Sequence, residues 1–320
     1  MGATTNYQAG LDTSQVSMGY IQEAAWGVTP ATPKLQALRL TGESLRGQET
    51  RDRPGEMNDR RVAARPATTE KSAAGGIDFA FSYGTYDDVL AGLLGGEWSA
   101  TTGAATLVNG TVFKSFLLEK RFSATKLFQY PGSFFSAGTL NLARRQFLSG
   151  SFSVLSKEQK KAIVSASTGG TYTPAPGGDV IDPVGGVRDI MMDGVAIPSV
   201  CNSISLNISN DGAAADFGLG AAAAQGMRMG SFLVGGSVEF YFRDFDLFDR
   251  SESKLAGTFS FRTVDAAGNS YKFELPGSGI ASPNIVAGGP GQPVMARYDL
   301  EGGSDANGVA LRITRTPAAP

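Results

Sequence analysis

The stretch IDFAFSYGTYDDVLAGLLGG, residues 77–96, decides the fold class. In its first part Ile77, Phe79, Phe81 and Tyr83 recur at every second position, with Asp78, Ala80 and Ser82 between them. That period puts one apolar face on a half-buried strand. At Thr85 the period changes. Tyr86, Val89, Leu90, Leu93 and Leu94 fall on one stripe at helical spacing. Thr85 reads as the N-cap, with Asp88 three residues on as its capping-box partner, and Gly95 and Gly96 offer a left-handed stop. The segment predicts a strand, then a helix over about 85–95 that packs flat on a sheet.

The strand grammar continues outward. Leu38 and Leu40, Phe116 and Leu118, Leu140 and Leu142, and Phe152 and Val154 are each two apart. SISLNISND at 203–211 alternates Ile204, Leu206 and Ile208 with Ser and Asn, and Asn210-Asp211-Gly212 ends it as a turn. Val238, Phe240 and Phe242, then Phe259 and Phe261, then Tyr271, Phe273 and Leu275 repeat the pattern. Val294, Ala296 and Tyr298, with Leu311 and Ile313, supply the last strands. The chain therefore reads as mainly β, a sandwich or barrel with one packed helix and long loops.

Three stretches lack this pattern. Residues 1–34 are polar and punctuated by Pro, and read as an N-terminal arm whose Tyr20, Ile21 and Trp26 are candidate anchors on a neighbouring surface. Residues 46–75 are rich in Arg, Lys, Asp and Glu with almost no large apolar residue, and read as a long loop. Residues 157–200 read as a Gly/Pro-rich insertion, with KEQKKAI at 157–163 as a short exposed helix. The remainder, 35–320, is expected to be a single β domain.

Composition limits function. The 320 residues include no His and one Cys, Cys201. No Ser-His-Asp triad, Cys-His pair, His-ligated metal or internal disulfide is possible. Cys201 reads as a small buried apolar residue. The formal net charge of -2 carries no basic footprint for gripping phosphates. No phosphate loop or nucleophile elbow occurs. Gly218–Ala223 matches G-x-G-x-x-A but follows no parallel strand, and reads as a flexible segment. Asp244, Asp246 and Asp249 lie close together, yet Arg243 and Arg250 bracket them, and a capped short helix or turn is the plainer reading. No enzyme, cofactor or metal is expected. The opening MGATTNYQAG lacks a basic, then apolar leader, and no apolar run spans a bilayer, so the protein is expected to be soluble and cytoplasmic when made.

The motifs in order carry a resemblance. WGVTPATP (26–33), LQALRLTGESL (35–45), DFAFSYGTYDDVLAGLL (78–94), KSFLLEKRF (114–122), FQYPGSFFSAGTLNL (128–142), SISLNISND (203–211) and ALRITR (310–315) together resemble the tail tube, or major tail, proteins of long non-contractile-tailed phages. The resemblance runs over most of the chain, with 168–186 unmatched. It implies a structural virion protein: hexameric rings with a continuous β-barrel lumen, stacked into the tube that conducts DNA during ejection. The implied partners are further copies of the chain, the tape measure, tail terminator and distal tail proteins, and passing double-stranded DNA bound without sequence preference. No membrane is implied. Arms and a long loop would reach the next ring. Trp26, Glu49, Arg51, Arg53, Glu56, Asp59, Arg60 and Arg61 are the candidate inter-ring contacts. Polar faces such as Asp78/Ser82 and Glu239/Tyr241 are candidates for the lumen or for an outer surface. The rival readings are a tail terminator, connector or decoration protein, a carbohydrate-binding β-sandwich, and, against the leaderless start, an outer-membrane barrel.

Overall fold

The computed structural model describes residues 10–55, 62–99 and 103–318. The first half holds β1 (Ser17–Gln22), β2 (Gln36–Leu38), β3 (Gly42–Glu43), β4 (Arg46–Asp52), β5 (Ala67–Ala80), helix α1 (Asp87–Leu94), β6 (Ala105–Val108), β7 (Phe116–Ser123), β8 (Lys126–Ala143), β9 (Ser149–Ser156) and β10 (Lys160–Ala162). The second holds β11 (Val187–Met192), β12 (Val195–Ala196), β13 (Cys201–Asp211), β14 (Ala214–Asp216), β15 (Gly226–Arg228), β16 (Ser231–Tyr241), helix α2 (Asp246–Glu252), β17 (Gly257–Val264), β18 (Ser270–Val286), β19 (Met295–Glu301) and β20 (Arg312–Thr316).

The named strands pair antiparallel throughout. The largest sheet runs β4-β5-β9-β8-β13-β16-β19-β18. A second runs β2-β1-β7-β8-β10, and a third β12-β11-β17-β18-β20-β6. Two long strands belong to two sheets each. β8 pairs with β7 as far as Ser133 and with β9 from Phe134. β18 pairs with β17 as far as Ser278 and with β19 from Gly279. Each bends at a Pro-Gly pair, Pro131-Gly132 and Pro276-Gly277. The glycines take left-handed φ values of 63° and 71°, which a Cβ would penalise.

The expected alternation builds the core. Ile77, Phe79, Phe152, Leu140, Leu206 and Phe240 all lie on the inner face of the large sheet and are buried. Phe79 stacks on Phe152 at 4.3 Å between centroids and meets Tyr86 of the turn into α1 at 4.7 Å. Each such ring contributes about 1.5–3 kcal/mol by leaving water. α1 packs on β8, and α2 on β18.

The structure departs from the sequence reading in four places. Residues 17–22 are not arm: β1 pairs with β7, and Met18 and Tyr20 are core. Within 46–75, residues 46–52 and 67–75 are paired strands rather than loop, because β4 is held by backbone pairing to β5 while all its side chains stay exposed. The 157–200 stretch is not a mere insertion: KEQKKAI holds strand β10 instead of a helix, since β8 offers an edge that its backbone fills, and β11 and β12 join the third sheet through β17. Thr85 does not cap α1. Its hydroxyl is taken by Ser82 at 2.7 Å and by the Pro176 carbonyl, leaving Tyr86 as the N-cap without a side-chain bond. The expected stop holds, with Gly95 left-handed at φ 61°.

Candidate assembly surfaces

The face of the large sheet opposite the core is built from short polar side chains. Alternation puts Ser151, Thr139 and Asn207 in one row, and Ser149, Asn141 and Ser205 in the next. Ser205 Oγ donates to Asn141 Oδ1 at 2.9 Å, and the Thr139 and Ser151 hydroxyls meet at 3.0 Å. Such bonds hold the side chains flat along the sheet. Charge enters as Asp78, Glu239, Asp299 and Glu301 against Arg46 and Arg297, so acid exceeds base. Asn202 Nδ2 donates to Glu239, and Arg297 donates to Ser237 Oγ at 3.2 Å. A face of this chemistry stays hydrated and offers few cations to an anion. Asp78 and Glu239 are on this face. Ser82 is buried against Thr85 and is not.

The sheet has two ends. At one, β4 shows its outer edge, and every residue from Arg46 to Asp52 is exposed. At the other, the far half of β18 pairs only with β19 among the described residues. Open edges invite pairing, and both are guarded here. β4 is charged: Arg51 pairs with Glu49 at 2.9 Å and Lys71 approaches Glu49 at 3.7 Å. Exposed pairs of this kind contribute under about 1 kcal/mol each. The Leu45 carbonyl accepts from Lys120 Nζ at 2.8 Å and from Tyr130 OH at 3.1 Å, and the Gly47 N–H donates to Gln159 at 2.7 Å. β18 carries a bulge with Ser282 at φ 49°, followed by Pro283, which has no N–H.

The β4–β5 hairpin runs past Ala73, where β9 stops pairing, and so projects from the body. Beside it, the β13–β16 hairpin ends in the small β14–β15 ribbon, and the Lys71 N–H donates to the Ala222 carbonyl at 2.7 Å. Of the candidate contacts, Glu49, Arg51 and Arg53 lie exposed on this projecting hairpin. Glu56, Asp59, Arg60 and Arg61 lie outside the described residues. Trp26 sits elsewhere. It packs on Gly132 of the β8 bend with Lys157 Nζ 5.0 Å over its ring.

The buried carboxylates are spent on structure. Glu119 is fully buried and accepts from Gln129, Ser165, Tyr172 and the Ala166 N–H. Glu23 accepts from Ser115 and from the N–H groups of Gly27 and Gly132. Asp246 and Asp249 sit in α2, where the plainer reading put a short helix. Burial pushes the Cys201 thiol up to about 12, so it is held protonated and poorly nucleophilic. No cluster of three metal-ligating residues occurs among the described residues, and no helix there is long and apolar enough to cross a membrane.

The polar face and the projecting hairpin are what sequence reasoning located least well. Their signals were present: Ser and Asn at alternate positions in SISLNISND, and paired opposite charges through 46–75. A family model described as phage tail tube protein matches residues 13–302. No curated protein is significantly similar to the chain.

Proposed function

The chain belongs to the phage tail tube protein family, and from that premise we propose that its copies pair edge to edge into closed rings that stack as the conduit for DNA. It is a structural component of the virion tail. The observation that carries the finer reading is the large sheet itself: one apolar face, one Ser/Thr/Asn face, and two open edges. Closing the edges around an axis with the polar face inward gives a wet, weakly acidic bore. A duplex slides through such a bore because few cations are offered to its phosphates. Closure removes the edges as sites of uncontrolled pairing, while the axial contact repeats without closing and so makes a tube. The projecting β4–β5 hairpin serves the axial contact with the next ring. Tape measure, terminator and distal tail proteins would meet the tube at its inside and its ends.

Negative-stain electron microscopy of the purified chain tests this. Spontaneous tubes are expected. Isolated trimers or single rings that never stack at any concentration would instead favour a terminator or decoration protein.

A further inference from the structure

The element order repeats. β1, β2, β3/β4, β5, α1, β7, β8, β9 and β10 are followed by β11, β12, β13, β16, α2, β17, β18, β19 and β20 in the same spatial roles. β1 pairs with β2 and β7, as β11 pairs with β12 and β17. β8 crosses between sheets from β7 to β9 and is flanked by β10, as β18 crosses from β17 to β19 and is flanked by β20. The irregularities match too. The β7–β8 register shifts between Phe116 and Leu118, and the β17–β18 register between Gly257 and Phe259. Short sequences coincide at these places: FQYPGS at 128–133 with FELPGS at 273–278, and GGIDFAF at 75–81 with GSVEFYF at 236–242. β6, β14 and β15 are the additions.

Within the chain the two units are joined by pairing β8 of the first to β13 of the second. In the equivalent positions, β18 of the second unit and β4 of the first are the two open edges. The edges are therefore complementary, since each is the counterpart of a strand that already pairs. The units differ where this matters. Lys120 and Tyr130, which reach the Leu45 carbonyl at the open edge, correspond to Phe261 and Leu275 beneath the closed junction. Lys120 is also held by Glu43 at 2.8 Å, so a polar cluster secures the open edge where the other unit has apolar packing.

We infer that the chain is a tandem duplication of one tube unit, and that three copies close the ring by pairing β18 of each onto β4 of the next. This rests on the ring reading above. It makes the expected sixfold arrangement a property of units rather than of chains. Geometry favours the number. With eight strands per copy, about 4.8 Å between strands and about 40° of tilt, two copies close at a backbone diameter of roughly 32 Å and three at roughly 48 Å. Side chains from opposite walls take roughly 10 Å of either. Two copies leave no clearance for a hydrated duplex, and three are the fewest that do.

The internal register fixes the contact. Thr139 faces Asn207 at the closed junction, and the matching residues at the open edges are Asn284 and Arg46, both exposed. The test uses Asn284→Cys with Arg46→Cys in a Cys201→Ala background, oxidised after assembly and run without reductant on a denaturing gel. Thr139→Cys with Asn207→Cys is the control that must cross-link within one chain. The ladder is expected to end at three chains, and images of the wild-type assembly to show three chains per ring. A ladder reaching six, or six chains per ring, overturns the inference. Wild-type tubes with an uncross-linked variant overturn the edge assignment and leave the tube reading standing. Cross-linked trimers that never stack uphold the inference and remove the conduit.

Discussion

Asp87 takes the Arg315 guanidinium on one carboxylate oxygen and the Tyr271 hydroxyl on the other, the latter at 2.5 Å, and so binds the start of α1 to the last strand. Trp98 closes the cluster, with its Nε1 donating to the Asp87 carbonyl at 3.0 Å and Arg315 5.3 Å over its ring. Asp87→Ala strands a cation against an aromatic face. Removing one partner of a fully buried pair costs about 3–5 kcal/mol, and Arg315 is a third exposed, so a loss of about 2–3 kcal/mol is expected. Tyr271→Phe should cost about 1 kcal/mol. Urea midpoints of the unassembled chain check both. A midpoint unmoved by Asp87→Ala would mean the cluster does not join the halves.

Gly75 and Gly236 hold equivalent rows, and each lets a neighbouring strand approach. A Cβ on Gly75 would lie 2.5 Å from Leu45 Cα, and one on Gly236 1.9 Å from the Ser205 carbonyl oxygen. Alanine at 236 should be the worse, by about 1–2 kcal/mol. β13 is clamped between β8 and β16, whereas β4 is an edge that can yield. Thermal unfolding of the two variants decides the order, and equal losses would contradict it.

Stability should fall in alkali. The thiol of Cys201 is moved by burial from 9.0 to about 12, and the Tyr20, Tyr86, Tyr130 and Tyr271 hydroxyls are pushed up from 10.0 by burial. In each case the fold favours the protonated form. Its contribution is complete below the unfolded value and is lost as pH rises through the folded one. Urea midpoints should therefore show no loss from these groups up to about pH 9, then fall steadily toward pH 12. Maleimide should label Cys201 slowly until the chain is unfolded. Rapid labelling of the native chain would show that the thiol is not held as described.

The projecting hairpin can be removed without touching the core. Replacing residues 49–71 by Asn-Gly joins Gln48 to Ser72, which already face each other, through a two-residue turn. The shortened chain should keep its far-ultraviolet spectrum and its rings but lose tube growth. Growth in the intact chain should weaken between 50 and 500 mM salt, on the order of the screening expected for exposed charges. Normal tube length and rate after the deletion would assign the axial contact elsewhere.

Much of this fold was legible where one face of an element is buried. Ile77, Phe79 and Phe81 announce β5, and Val89, Leu90, Leu93 and Leu94 announce α1, because burial writes a period into sequence. β4 writes none. Its partners are backbone groups, so RGQETRD reads as a loop although it is a strand. Met18 and Tyr20 are only two alternating core residues, too short a signal beside so many polar neighbours. Thr85 misled because its hydroxyl found Ser82, a contact that appears only once the chain is folded. The duplication was hidden because the units share roles more than residues: Lys120 and Tyr130 stand where Phe261 and Leu275 stand. Loops of unequal length separate the two short coincidences.

The most direct measurement is a cryo-electron microscopy reconstruction of the assembled chain at side-chain resolution. A tube is expected whose bore is lined by Asn141, Ser151, Ser205 and Asn207, with Phe79 and Phe240 behind them in the wall and β18 of one chain paired to β4 of the next. A bore lined by any other surface of the subunit, or a ring in which those two edges stay unpaired, would contradict it.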